Sequence, residues 1–187
     1  MRFSSKSLVL SLTAAAALLA GATQANAATY ALDPTHTFAT FEIGHFNTST
    51  NRGRFDKKEG KVEFDAAAKT GSVEITIDTT SINSGTAAFD KHLQSASILN
   101  TAKHPKARFV SSQFVFDGAR LTAVKGHFTL MGITEALTLH ARQFNCYESP
   151  IFKQEVCGGD FEATLDRTVF GVNYGIDFGI PKEVRLV

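Results

Sequence analysis

Apolar and polar residues alternate along most of this chain, and the alternation is clearest over residues 126–140. Phe128 and Leu130 share one phase on the first half of this segment. Leu137 and Leu139 repeat the phase beyond a glycine turn, with polar residues between them. Successive side chains of a strand point to opposite faces, so the segment is a hairpin with one apolar face. Because the period recurs and no long helix competes with it, the apolar faces must meet in a sandwich or inside a closed barrel.

The same period predicts eight short antiparallel strands. Asp117-Gly118 is a strong signal for a two-residue hairpin turn, and Lys69-Thr70-Gly71 marks another connection. The predicted strands are Tyr30–Phe46, Gly53–Asp65, Ser72–Asp78, Ala107–Phe116, Leu121–Leu130, Glu135–Tyr147, Gly159–Arg167 and Ile176–Val184. No linker or internal repeat divides residues 28–187, so we expect a single domain.

The alternation stops in one place, between Thr79 and Pro105. Thr86 can cap a helix that runs through Leu93, and a second helical turn is predicted over Ile98–Ala102. This insertion between the third and fourth predicted strands is too long for a hairpin loop. Such an excursion caps an open barrel end or forms part of a binding mouth. Leu93 and Ile98 are its apolar candidates for contact with a ligand.

Phenylalanine is the second feature that changes the interpretation, since the chain has 16 Phe and no Trp. For any single Phe, an ordinary packed core is the simpler explanation. An eight-stranded barrel, however, is wide enough either to be filled or to hold one small ligand. Small inward residues such as Gly126 favour the second alternative because they leave volume. The residues predicted to line a ligand are Phe41, Ile43, Phe64, Phe128, Leu130, Phe161 and Phe178.

The first 27 residues have the pattern of a secretory signal peptide. Arg2 and Lys6 precede an apolar run, and Ala25-Asn26-Ala27 is a small-x-small cleavage signal, so we expect cleavage after Ala27. Serine and threonine interrupt the run, which makes a membrane anchor the weaker alternative. Without Arg2 and Lys6, 17 of the 19 basic residues remain against 18 acidic ones. This balance provides no basic field for nucleic acid or for anionic lipid surfaces.

Cys146 and Cys157 are the two cysteines of the chain. An oxidising compartment favours pairing them across the segment between them. Two thiols without a neighbouring Cys or His motif do not make a zinc site, although free thiols remain the alternative. We therefore predict a disulfide that joins two neighbouring strands near their connecting loop.

Short motifs follow one another over residues 30–187. They are Asp33-Pro34-Thr35-His36-Thr37 with Phe41 and His45, Gly53-Arg54-Phe55, Gly60-Lys61-Val62-Glu63-Phe64-Asp65, Asp90-Lys91-His92-Leu93 with His104-Pro105, Gly126 to Thr134, and Arg167-Thr168-Val169-Phe170-Gly171. In this order and spacing they resemble the YceI-like family of exported polyisoprenoid-binding proteins. Phe89 differs, because an Arg usually precedes the Asp-x-His-Leu motif in that family.

This resemblance implies an eight-stranded antiparallel lipocalin-like barrel with a short helical insertion between strands three and four. It also implies a periplasmic carrier or storage protein for an isoprenoid lipid, such as a polyprenyl chain or a ubiquinone tail, with no other cofactor. A carrier of a fatty acid or fatty amide in a stress response is the alternative, and a small enzyme that acts on a lipid is less favoured. A homodimer and a transient membrane contact are left open.

The polar candidates come from the same motifs: His36, Asp90, His92 and Arg167 are expected at the mouth or near a ligand headgroup. None of the six His pairs with another at a ligand spacing such as His-x-x-x-His, so no metal is predicted. A nucleophile elbow and a nucleotide-binding loop are both missing, so we do not expect an enzyme. A catalytic triad assembled from distant residues stays open as an alternative.

Overall fold

The structure, a computed structural model, describes residues 27–187. The predicted signal peptide lies outside the described residues except for Ala27. Eleven strands and one α-helix form within this range. They are β1 (Ala28–Ala31), β2 (Thr40–His45), β3 (Ser49–Phe55), β4 (Lys58–Asp65), β5 (Thr70–Asp78), β6 (Ile82–Asn83), α1 (Ala87–Leu93), β7 (Lys106–Asp117), β8 (Arg120–Leu130), β9 (Ile133–Glu148), β10 (Glu155–Asp166) and β11 (Glu183–Leu186). Short 3-10 turns cover Thr79–Ser81, Arg167–Phe170 and Ile176–Phe178.

All strand pairs are antiparallel, and the sheet order is β1-β4-β5-β7-β8-β9-β10-β11-β2-β3-β6. β3 and β4 lie near opposite ends of this order, yet only Asp56 and Lys57 separate them along the chain. A chain segment spans at most about 3.6 Å per residue, so the sheet must curl until its ends meet. Backbone bonds from Asp56 to Ser81 and from Asp78 to Lys57 join the ends. The predicted all-β antiparallel barrel is confirmed.

The predicted count of eight strands is wrong, because several predicted strands break. Tyr30–Phe46 divides into β1 and β2, since Asp33 accepts a bond from the Thr35 amide and starts a turn instead. The predicted strand Gly53–Asp65 divides at the corner between β3 and β4. Ile176–Val184 begins as a 3-10 turn between glycines with φ of 79° and 89°, so β11 starts only at Glu183.

The helical insertion is confirmed as α1, which follows β6 and precedes β7. Thr86 occupies the N-cap position, but its side chain makes no capping hydrogen bond. Residues 96–103 form turns and not the predicted second helix. No helix within residues 27–187 combines the length and apolar character needed to cross a bilayer.

The disulfide between Cys146 and Cys157 is confirmed. The two cysteines lie directly opposite each other on β9 and β10, so the bridge joins neighbouring strands just before the hairpin loop. This hairpin marks one end of the barrel, here called the packed end. The opposite, open end is formed by the β2–β3 turn, by α1 and by residues 167–182, since Pro181 lies against Gly44 and the rings of Tyr174 and His92 are 4.9 Å apart.

Five phenylalanines fill the barrel near the packed end: Phe64, Phe114, Phe116, Phe144 and Phe161, here called the aromatic plug. The ring of Phe64 lies 6.1 Å from that of Phe114 and meets Phe144 edge-on at 5.3 Å. These are favourable aromatic geometries.

The sequence suggested that Gly126 leaves free volume inside the barrel. It does not, because the ring of Phe109 lies against it and would be 2.7 Å from an added Cβ.

Candidate functional site

A cavity of about 580 Å³ occupies the half of the barrel toward the open end. Side chains from β2 through β11 surround it, because the inward residues of every strand face the barrel axis. Aliphatic and aromatic residues dominate. Those not discussed further below are Phe38, Ala39, Phe55, Ile75, Ile77, Ile82, Leu99, Ala107, Leu137, Leu165, Val172, Ile180, Val184, Leu186 and Val187.

The cavity extends along β2, since residues from both ends of the stretch between Thr37 and Phe46 line it. Pockets that bind small molecules enclose roughly 300 to 1,000 Å³, so a cavity of this volume suits one ligand. Its mainly apolar lining favours an apolar chain.

Seven of the nine apolar candidates line this cavity: Phe41, Ile43, Leu93, Ile98, Phe128, Leu130 and Phe178. Phe64 and Phe161 do not line it, since both belong to the aromatic plug. The alternation along a strand identifies which side chains point inward. It does not give their height along the barrel axis, which depends on the stagger of neighbouring strands.

Phe41 and Phe178 reach the cavity in different ways. The ring of Phe41 lies against Gly53 on the neighbouring strand β3, where an added Cβ would be 2.5 Å from the ring. Only a glycine permits that approach. Phe178 is 72% exposed on its 3-10 turn, although the sequence suggested an inward position on a strand. It therefore lies at the mouth and not on the barrel wall.

Arg167 is the buried charge of the cavity wall, with 6% of its surface exposed. Its guanidinium donates to the carbonyls of Pro181, Val172 and Tyr174 at 2.9, 2.7 and 2.8 Å. Burial lowers the pKa of Arg167, and neighbouring Asp166 partly offsets this. No described carboxylate forms an ion pair with Arg167, so backbone carbonyls hold the charge and fix residues 172–181 over the open end.

His92 also lines the cavity, and its ring meets the ring of Tyr174 edge-on at 4.9 Å. Tyr174 in turn provides one of the carbonyls that bind Arg167. His92, Tyr174 and Arg167 therefore form one polar cluster in a mainly apolar wall, which also includes His45, Asn51 and Lys58. The sequence missed Tyr174, because it lies in an irregular segment without periodicity.

The other two polar candidates lie elsewhere. The carboxylate of Asp90 accepts from the backbone amide and the hydroxyl of Ser84, both at 2.6 Å, so it fixes the loop before α1. The side chain of His36 is exposed and bonds to Asp33 at 2.6 Å. Hydrogen bonds from Thr35 and His36 lower the pKa of Asp33. Neither His36 nor Asp90 lines the cavity.

Phe89 and Phe109 line the cavity but were not among the candidates. Phe109 lies on β7 opposite Phe128 of β8, so the alternation alone was sufficient to find it. Phe89 lies on α1, where the strand period does not apply.

One group of potential metal ligands occurs within residues 27–187, namely Cys146, Glu155 and Cys157. Its two sulfur atoms form the disulfide and cannot act as thiolate ligands.

The fold and the cavity together define a lipocalin-like class of protein, an antiparallel β-barrel with an apolar cavity inside it. The family profile of the YceI-like domain matches residues 30–187. The chain belongs to the YceI-like family.

Individual relatives agree with this assignment. A UPF0312 protein of Shewanella denitrificans is 40% identical over 182 residues, covering 96% of this chain and 90% of that protein. Protein YceI of Escherichia coli O157:H7 is 40% identical over 141 residues, covering 72% of each chain.

Two solved structures share the fold. BcnA of Burkholderia cenocepacia has a TM-score of 0.67 at 21% identity, covering 82% of this chain and 94% of that chain. A polyisoprenoid binding domain from Saccharophagus degradans, implicated in plant cell wall breakdown, has a TM-score of 0.61 at 15% identity. That match covers 86% of this chain and 94% of the other.

Proposed function

We propose that this protein binds one long apolar chain of the isoprenoid type and acts as its carrier or store in the periplasm. The observation that carries the proposal is the apolar cavity of about 580 Å³ along β2. The description of the Saccharophagus degradans neighbour as a polyisoprenoid binding domain supports the ligand class. A polyprenyl lipid and a quinone with a polyprenyl tail both fit this description.

Chain length follows from the energetics of burial. Each buried methylene contributes about 0.8 kcal/mol, so ten carbons contribute roughly 8 kcal/mol and twenty contribute roughly 16. Association costs about 4 to 15 kcal/mol. A short amphiphile therefore barely balances that cost, whereas a long chain that fills the cavity binds tightly. This favours a ligand with a long apolar chain over a short amphiphile.

The polar cluster supports a position for the headgroup. Arg167 carries a buried positive charge beside His92 and Tyr174, while the rest of the wall is mainly apolar. A quinone carbonyl or a phosphate provides the acceptor oxygens that such donors favour. The apolar tail then extends away from this cluster along the inward side chains of β2.

Two features support export. The signal-peptide pattern precedes Ala28, and the Cys146–Cys157 disulfide is typical of oxidising compartments. Both agree with a periplasmic location in a Gram-negative bacterium.

The test is mass spectrometry of apolar molecules extracted from protein purified from the periplasm. We expect one polyprenyl-containing molecule per chain. An extract that contains only fatty acids or fatty amides would redirect the proposal to the alternative carrier. Conversion of an added lipid to a new product would instead identify an enzyme.

A matched pair of variants connects the ligand to the cavity. Leu139→Trp places a large ring in the cavity wall of β9, whereas His140→Trp places the same ring on the exposed face of that strand. We expect Leu139→Trp to reduce the bound molecule to a small fraction of the wild-type amount. His140→Trp retains it. Equal retention by the two variants contradicts binding inside the barrel.

A further inference from the structure

Apolar side chains are exposed around the mouth of the cavity. Phe178 is 72% exposed, Phe46 is 47% exposed, and Val169 and Tyr174 are also exposed. Phe46, Tyr174 and Phe178 line the cavity as well. The apolar surface therefore continues from the cavity to the outside at the open end, and exposed apolar surface of this kind marks a binding site.

Phe46 provides a second sign that this rim is used. It begins the β2–β3 turn with φ of +50°, and Asn47 follows with φ of +57°. Such turns favour Asn and Gly, and a bulky residue in the left-handed region is rare. The ring of Phe46 meets that of His45 edge-on at 4.6 Å and lines the cavity, while about half of its surface stays exposed. Phe46 therefore offers apolar surface to both the cavity and the outside of the rim.

The insertion beside this rim carries more basic than acidic side chains. Residues 84–106 contain three exposed lysines, Lys91, Lys103 and Lys106, and one acidic residue, Asp90, whose carboxylate is engaged by Ser84. Two further carboxylates lie close by, since Asp78 of β5 pairs with Lys106 of β7 and Asp177 precedes Phe178 on its 3-10 turn. Lys91 and Lys103 form no ion pair with a described carboxylate, so these two lysines provide the positive charge that is free to meet a partner.

The lysine-bearing segment borders the mouth directly. His92 of α1 packs against Tyr174 with ring centroids 4.9 Å apart. At the other end of the segment, the ring of His104 lies beside the β8–β9 turn, 3.5 Å from where a Cβ on Gly132 would lie. The lysines and the exposed apolar rim therefore belong to the same end of the barrel.

We propose that the open end docks on a bilayer surface that contains anionic phospholipid. Lys91 and Lys103 face the headgroups, and the ring of Phe178 with its apolar neighbours enters the interface, where aromatic side chains are favoured. This inference rests on the proposed function, because docking would serve to transfer the bound apolar chain. A long apolar chain can then pass between membrane and cavity without exposing its full length to water.

A second copy of this chain fits the same face less well. In a two-fold dimer the same surface patch meets itself, so the lysines of one copy would approach those of the other. Like charges in contact oppose such an interface, whereas anionic headgroups complement it.

The test is co-sedimentation of the full mature chain with vesicles of phosphatidylcholine, with and without 30 mole per cent phosphatidylglycerol. We expect binding to the anionic vesicles that weakens with salt. The double variant Lys91→Gln/Lys103→Gln should weaken partitioning by roughly 30-fold, since each lysine near an anionic surface contributes about fivefold. Its matched control is Lys125→Gln, on the outer face of β8 away from the open end.

The apolar contribution is tested with a second pair. Val169→Ser removes an exposed apolar side chain that does not line the cavity, and Phe152→Ser removes one at the packed end. We expect weaker vesicle binding only for Val169→Ser. Loss confined to Phe152→Ser, equal binding to neutral vesicles, or a dimer that Val169→Ser dissociates overturns the proposal.

The two proposals fail in different ways. Protein that retains an extracted isoprenoid but ignores anionic vesicles contradicts membrane docking alone. Protein that docks on the vesicles but retains no apolar chain, with or without added polyprenyl lipid, contradicts the proposed function.

Discussion

The two halves of the barrel are formed by the same strands and the same inward phase, yet one is filled and the other hollow. Near the packed end, Phe64 of β4 reaches Phe144 of β9 across the interior, with ring centroids 5.3 Å apart. Toward the open end, inward residues such as Ile43 and Leu139 surround a cavity of about 580 Å³ instead. The difference is one of side-chain size and reach, since rings meet across the axis where aliphatic side chains do not.

This division separates stability from binding. The aromatic plug and the disulfide hold one end of the barrel together, so the other end can retain unfilled apolar volume without loss of the fold. Empty apolar volume lowers stability, because its lining atoms lack packing partners. A ligand that fills the cavity restores those contacts and stabilises the folded chain by mass action.

The largest expected effect is in the plug. Phe64→Ala should lower the free energy of unfolding by about 3 to 5 kcal/mol, because it opens a void in a filled region. Ile43→Ala should cost about 1 kcal/mol in ligand-free protein, since its side chain already faces a cavity. Urea unfolding measures both. Equal losses at the two positions would show that the halves are packed alike.

The disulfide provides the next comparison. We expect Cys146→Ser/Cys157→Ser to lower the free energy of unfolding by about 2 to 3 kcal/mol, because the bridge restricts the unfolded chain over a short loop. Both sulfurs lie at the packed end, so retention of an apolar ligand should persist wherever the variant is folded. A variant that stays folded but loses its ligand would contradict the separation of the two ends.

A smaller effect is expected where the insertion covers the cavity. Leu93→Ala and Ile98→Ala each remove apolar contact with a bound chain, so we expect about tenfold weaker retention, mainly through faster release. Ser97→Ala, exposed on the same segment, is the control. Release rates of a fluorescent polyprenyl probe measure the change. Unchanged release rates in folded Leu93→Ala and Ile98→Ala would show that the insertion does not cover the cavity.

The smallest expected effect is the loss of stability at low pH that protonation of Asp166 causes. Hydrogen bonds from Thr168 and from Lys182 lower the pKa of Asp166 to about 2 from its ordinary 3.8. Because the folded pKa is depressed, the stabilisation is complete above about pH 4 and is lost as the pH falls toward 2. The urea midpoint of the wild type should therefore fall more steeply over this range than that of Asp166→Asn. If the urea midpoints of the two proteins changed with pH in parallel, the ionised Asp166 would contribute nothing to the stability of the fold.

The sequence predicted features that depend on local pattern. Alternation identified the inward phase of Phe41 and Phe128, and the presence of two cysteines behind a predicted signal peptide indicated the disulfide. The same alternation placed Phe64 beside them as a ligand residue, because phase does not reveal height along the barrel. That height depends on the stagger of strands that are distant in sequence.

Other features of the site depend on tertiary structure. Phe178 was predicted on a strand, but flanking glycines with positive φ place it on a 3-10 turn at the mouth. The carbonyls that hold Arg167 come from residues 172–181, whose path has no periodic signal. Asp90 shared a motif with His92, yet its carboxylate turns to Ser84 and away from the cavity.

A crystal structure of the protein as purified from the periplasm tests the central claim most directly. The account predicts continuous density for one apolar chain along the inward side of β2, from near Thr37 to near Phe46, and none within the aromatic plug. A cavity half closed by collapsed side chains, or occupied only by ordered water, would contradict it.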